Sequence, residues 1–222
     1  MNREFAARWG WRRYAASIAL SRARNRGAHL VRVVLRSTAF PTSIRLRPEY
    51  RCRLEEATDL SQLSGQSRAE LDLSDEFLTR AVLAPFHAVT LYDGRGLAAY
   101  SWFSRHGAPA PESSSVDVTV DHDRYIYGFK AFVRRDSRGV GLGQQLLIGS
   151  NIMLQAEGIE GVVSYVRPDN FPARRHSSKA GGVPVGWAGY HVGPFGIRRF
   201  RTNGAKTVGF QFVPARPPTP EQ

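Results

Sequence analysis

Six consecutive residues, Arg138-Gly139-Val140-Gly141-Leu142-Gly143, have the types and spacing of an anion site. They follow an apolar, strand-like run from Tyr125 to Val133. They open a helix-like run, Gln144 to Leu154. The first turn of a helix has backbone N–H groups without intrahelical partners, and the helix dipole adds positive potential there. Glycine lets a phosphate approach the main chain, because no Cβ intervenes. Arg138 adds a cation. The glycine spacing is not G-x-G-x-x-G, and no G-K-[ST] follows, so the loops of dinucleotide folds and of nucleoside-triphosphate hydrolases are excluded.

A second constellation follows. Val162 to Val166 is β-rich, and after it stand Asn170, Ala173, His176, Ser177, Lys179, Ala180 and Gly181. The pattern R-x-x-G-x-G between a strand ending in Val and an amphipathic helix resembles the acyl-coenzyme A loop of the GNAT acetyltransferase superfamily. That family's second motif reads roughly N-x-x-A-x-x-L-Y-x-K-x-G-F. This chain matches it at Asn170, Ala173, Lys179 and Gly181, and departs at His176, Ser177 and Gly182. The resemblance covers roughly residues 50–212.

The resemblance implies a mixed, mostly antiparallel central sheet flanked by helices, an α/β fold of the acyl-CoA N-acyltransferase type. It implies acetyl-CoA, or another acyl-CoA, as co-substrate, with no metal. The candidate coenzyme contacts are Phe132, Val133, Arg138, Gly139, Val140, Gly141, Leu142, Gly143, Asn170 and Lys179. Val133 would present its backbone N–H to the thioester carbonyl, where negative charge develops as an amine attacks; losing such a donor costs about 10²–10³ in rate. The family's usual carboxylate slot on the preceding strand is Tyr127 here. The Tyr that protonates the departing thiolate is replaced by Ser177, with His176, the better acid near neutral pH, beside it. Tyr127, His176 and Ser177 are therefore the candidate catalytic residues. Water, a backbone carbonyl and His122 are alternatives for removing the amine's proton, and a substrate amine with an already depressed pKa is another. Strand parity puts Tyr127, Phe129, Ala131 and Val133 on one face.

The reading from this resemblance is an N-acyltransferase, acetylating a primary amine of a small molecule, sugar or protein. Two alternatives stand beside it. One is a module that binds acyl-CoA without turnover, tethered to a membrane or nucleic acid by a basic arm. The other is a transferase for longer acyl chains.

Composition sets the remaining bounds. The net charge is +12, and the first 48 residues carry eleven arginines against one acid, Glu4. This segment reads as a basic N-terminal extension suited to an anionic membrane surface or nucleic acid. The acyltransferase domain is expected over 49–213 and a Pro-rich tail over 214–222. The single cysteine, Cys52, excludes a disulfide framework. No apolar run reaches the ~18 residues of a membrane span, and the apolar stretch from Ala15 to Leu20 is too short for a signal peptide. A cytoplasmic location, peripheral at the membrane if the arm binds lipid, and a homodimer complete the expectations.

Locally, a helix is expected from about residue 3 to about 25. Leu30 to Leu35 suits either helix or strand. Thr58 and Ser74 mark helix starts, and Asp93 to Gly96 marks a hairpin. Arg105 to Ser115 reads as a loop, and Asn203-Gly204 as a turn between the last two strands. Asp121-His122-Asp123 reads as a solvated turn rather than a metal site.

Overall fold

A computed structural model of the chain describes residues 10–39, 45–84, 86–110 and 115–215. Alternation of Val, Tyr and Phe with smaller residues builds one sheet of eight strands: β1 (Ala28–Ser37), β2 (Arg51–Glu56), β3 (Phe86–Asp93), β4 (Gly96–Ser104), β7 (Tyr125–Val133), β8 (Gly161–Val166), β9 (Val183–Gly193) and β10 (Gly196–Arg201). Their order is β10-β9-β1-β8-β7-β4-β3-β2. Only β7 and β8 are parallel; the other neighbours are antiparallel. A smaller sheet joins β11 (Gln211–Pro214), β6 (Val116–Thr119) and β5 (Ala108–Pro109). The fold class is the one expected: mixed, mostly antiparallel and flanked by helices.

The helices are α1 (Trp11–Asn25), α2 (Ala57–Ser61), α3 (Gly65–Glu70), α4 (Asp75–Leu83), α5 (Leu142–Ala156), α6 (Phe171–Lys179) and α7 (Asn203–Thr207). They divide the core in two. On one face of the sheet, Leu60 of α2 and Leu78 of α4 join Tyr100, Trp102, Tyr127, Phe210 and Phe212. On the other, Leu142, Leu146 and Leu154 of α5 pack on Leu91, Ala99, Phe103 and Ile126. Each such side chain contributes about 1.5–3 kcal/mol by leaving water, which holds α5 rigidly against the strands it follows.

Several local expectations change. The helix expected from residue 3 is seen over 11–25, and residues 1–9 lie outside the described residues. The ambiguous run at Leu30 is a strand, and it occupies the middle of the sheet between β9 and β8. A boundary at residue 48 therefore cuts through the sheet. Val31 and Val33 are buried on its inner face, so the second half of the basic segment belongs to the domain. Helix α1 is tied down as well: Arg24 donates to Asp169 at 2.9 Å. Helix α2 starts after Glu56 rather than at Thr58, because the Asp59 carboxylate accepts the Glu56 N–H at 3.0 Å. Helix α4 begins next to Ser74 as expected, and the Ser74 hydroxyl caps it, accepting from the Phe77 N–H at 3.2 Å. The Arg105–Ser115 loop contains β5, and its residues 111–114 are outside the described set. Asn203-Gly204 begins α7 instead of turning a hairpin. The turn lies at Gly193 to Gly196, and Gly204 is where α7 approaches the Val185 carbonyl too closely for any Cβ. Pro214 ends β11, and residues 216–222 of the expected tail lie outside the described residues.

Strand β7 carries the irregularity that matters most. Its register against β4 shifts between Trp102 and Phe103, which leaves Phe129 as an extra residue. The bulge bends β7 away from β8, and their parallel pairing ends at Tyr127 and Val163. Beyond that point the two strands splay apart.

Candidate functional site

The glycine turn forms as the sequence requires. Gly139 has φ +88° and Gly141 φ +90°, a left-handed conformation that other residues enter only with strain. Gly141 is the N-cap of α5. Among the described residues no side chain caps that helix end, and no acid occupies its first turn. The amides and dipole are thus left to a ligand. Arg138 folds back: its Nε donates to the Val133 carbonyl at 3.1 Å, and its guanidinium lies 5.3 Å from the Phe132 ring centre.

An open cleft of about 1160 Å³ runs from this turn along the end of β7 to α6. It collects Phe132, Val133, Arg138, Gly139, Gly141, Leu142, Gly143, Asn170, His176 and Lys179. Ten of the sequence-selected residues therefore share one surface, although they span three elements and two loops. Among the described residues no carboxylate lines it, and neither Arg138 nor Lys179 has an ion-pair partner. The cleft is cationic without internal neutralisation, as an anionic ligand requires. Val140 is the exception: it projects outward, 59% exposed, and does not line the cleft.

Val133 has the orientation that matters for chemistry. The Arg134 N–H donates to the Ala98 carbonyl at 2.8 Å. Alternation then turns the Val133 N–H to the opposite edge of β7, towards the splay where β8 no longer pairs.

Helix α6 forms the far wall. Asn170 is its N-cap, accepting from the Ala173 N–H at 3.2 Å, with Pro172 in the first turn. His176 packs against the glycine turn; a Cβ on Gly143 would stand 3.1 Å from the imidazole Cε1. Burial, then the charges of Arg36 and Lys179, hold the His176 pKa below its ordinary value. Its imidazole is therefore mostly neutral near pH 7, which suits a proton acceptor rather than the imidazolium donor expected from the sequence. Arg36 is itself buried on β1, with Asn151 and the Leu147 carbonyl as acceptors, and burial lowers its pKa to about 10.

Two catalytic candidates fall outside the cleft. Ser177 faces the other side of α6, against Gly182 and the sheet. Adjacent helix positions are separated by about 100°, so one residue's offset turns it away from His176. Tyr127 is fully buried, stacked on Phe129 and Tyr165 with ring centres 5.7 and 6.3 Å away. It borders a smaller recess of about 270 Å³ in the splay, which shares Asn170 and Ala173 with the cleft. The parity expectation also fails. Tyr127 and Phe129 pack in the core on one face, whereas Val133 packs with α5 on the other, because the bulge at Phe129 inverts the alternation. His122 does not line the cleft and pairs with Asp123 at 3.5 Å. Ser101, Gln144, Leu147 and Pro172 line the cleft without having been singled out; only their placement in three dimensions reveals them.

The class so defined is a mixed α/β protein in which an open cleft joins a cationic helix start to an opened strand pair. No family model matches the sequence, and no curated protein matches it. Solved GNAT acetyltransferases are similar to it in fold. One is a tandem GNAT protein from the clavulanic acid biosynthesis pathway, 17% identical, with TM-score 0.44, aligned over 89% of this chain and 58% of that one. The chain thus spans less than two thirds of that protein. Another is an aminoglycoside N-acetyltransferase in complex with CoA, 15% identical, with TM-score 0.42, over 60% of this chain and 86% of its own. A third is an aminoglycoside acetyltransferase from an uncultured soil metagenomic sample, in complex with trehalose, 10% identical, with TM-score 0.42, over 61% and 90% of the two chains.

Proposed function

We propose that the chain is an acyl-CoA-dependent N-acyltransferase that moves an acetyl group from acetyl-CoA to a primary amine. One observation carries the reading: a single cleft joins the uncapped, glycine-initiated end of α5 to the edge of β7 from which the Val133 N–H points. The turn with Arg138 and Lys179 would take the diphosphate, and the splay would take the pantetheine arm. The thioester would then lie along the end of β7. The amine nitrogen attacks the carbonyl carbon, a C–N bond forms, the Val133 N–H stabilises the developing oxyanion, and the C–S bond breaks. A free primary amine has a pKa of about 10.4 and must shed a proton. His176, held neutral by its surroundings, is the cleft group suited to accept it. The thiolate leaves with a proton from solvent or from His176 once charged.

The cations of the cleft would repel an ammonium, so the amine of a small molecule, sugar or protein would enter after the coenzyme phosphates have neutralised them. A second reading has support in one observation, the lack of a carboxylate among the described residues that line the cleft: a module that holds acyl-CoA without turnover. Release of free thiol from acetyl-CoA on a panel of small, sugar and peptide amines separates them. Amine-dependent release is expected. Tight CoA binding with no release on any amine supports the second reading, and failure to bind CoA refutes both.

A further inference from the structure

Behind α6 lies a second recess, of about 410 Å³, that shares no residue with the cleft. It is an open recess bordered by α1, β1, α6 and the start of β9, and Arg13, Arg32, Arg174 and Arg175 line it. Ser177 and Ser178 supply hydroxyls on the same wall. Among the described residues none of these four arginines is within ion-pair distance of a carboxylate. The nearby acid, Asp169, is already paired with Arg24 at 2.9 Å and with Arg167 at 3.4 Å.

Like charges do not gather in this way without cost. Arg174 is held below its ordinary pKa by burial and by the charges of Arg32 and Arg13. Three of the guanidiniums nonetheless lie over aromatic rings: Arg13 and Arg174 over Phe171, at 5.3 and 5.6 Å from its ring centre, and Arg32 over Trp187 at 5.8 Å. A guanidinium that turns its face to a ring keeps N–H donors at its edge. Arg174 gives one of these to the Pro168 carbonyl at 3.2 Å. One carboxylate matches one such fork. A phosphate ester carries nearly two charges and three acceptor oxygens, which several forks and two hydroxyls satisfy together.

We infer that this recess binds the phosphate group of a small phosphorylated molecule, at a site separate from the cleft. The proposal does not depend on the acyl-transfer reading. It also gives Ser177 a position as a phosphate-facing hydroxyl.

The test is calorimetry on the full chain with glycerol 3-phosphate and with inorganic phosphate, each with and without saturating CoA. Binding of the ester is expected under both conditions, and tighter than that of the inorganic ion. Arg32→Gln and Arg175→Gln, each leaving a shorter, neutral and still polar side chain, should weaken it roughly ten-fold or more, while CoA affinity stays unchanged. Arg175 makes no ion pair or side-chain hydrogen bond among the described residues, so its variant keeps the test valid if Arg32→Gln destabilises the fold. No binding of either probe, binding unaffected in the folded variants, or binding abolished by CoA overturns the proposal. Inorganic phosphate binding as tightly as the ester overturns the ester assignment, and so does a single-stranded oligonucleotide displacing the ester at lower concentration than the ester's own.

Discussion

Replacing Gly141 by Asp separates folding from ligand binding at the glycine turn. Gly141 sits at φ +90° with no heavy atom within 4 Å of the position its Cβ would take. The folding cost is therefore one of backbone conformation, about 1–2 kcal/mol. A carboxylate at the N-terminus of α5 returns about 0.3–1 kcal/mol through the helix dipole. The free protein should lose about 1 kcal/mol in a urea titration. Binding responds very differently. A carboxylate about 5 Å from a diphosphate oxygen, at an effective dielectric of about 20, costs roughly 3 kcal/mol. That corresponds to an increase of about a hundred-fold in the Kd for CoA, shrinking as salt rises. Gly141→Ala has similar backbone strain without the charge, and should keep CoA affinity within a few-fold. Isothermal titration of both variants at low and moderate salt reads the difference. If Gly141→Asp binds CoA as the parent does, the turn does not hold the diphosphate and the reasoning from residue spacing to coenzyme fails.

Two further outcomes follow from buried groups. His176 has a folded pKa below its unfolded value, so the unfolded chain takes up the proton first. Its contribution to stability is complete above pH ~6.5 and is lost as pH falls from there towards the folded pKa. A plot of Tm against pH should flatten in that window in His176→Gln, and an unchanged slope would show that the imidazole is not depressed. Asn151→Ala removes a side-chain acceptor of buried Arg36 and should cost about 1.5–3 kcal/mol in urea denaturation. Combining it with Arg36→Met should recover part of that loss, because an apolar pair replaces an ill-satisfied charge. Equal stability of single and double variants would contradict this account.

What the sequence determined by itself is local. The glycine turn, the start of α5, the β3–β4 hairpin and the Asn170 cap each follow from residue types at short spacing, since the physics involved acts over one turn of chain. The mixed-sheet class and the meeting of Asn170, His176 and Lys179 with the glycine turn came from a resemblance resting on the same short spacings. What tertiary structure decided is whatever depends on which neighbour covers a face. Leu30 to Leu35 became a central strand because β8 and β9 cover both of its edges, and nothing within the run records that. Tyr127 and Val133 went to opposite faces because one extra residue in β7 has no signature in an apolar run. Ser177 turned from the cleft to the arginine recess because the sheet, and not the helix, fixes how α6 is rotated about its axis.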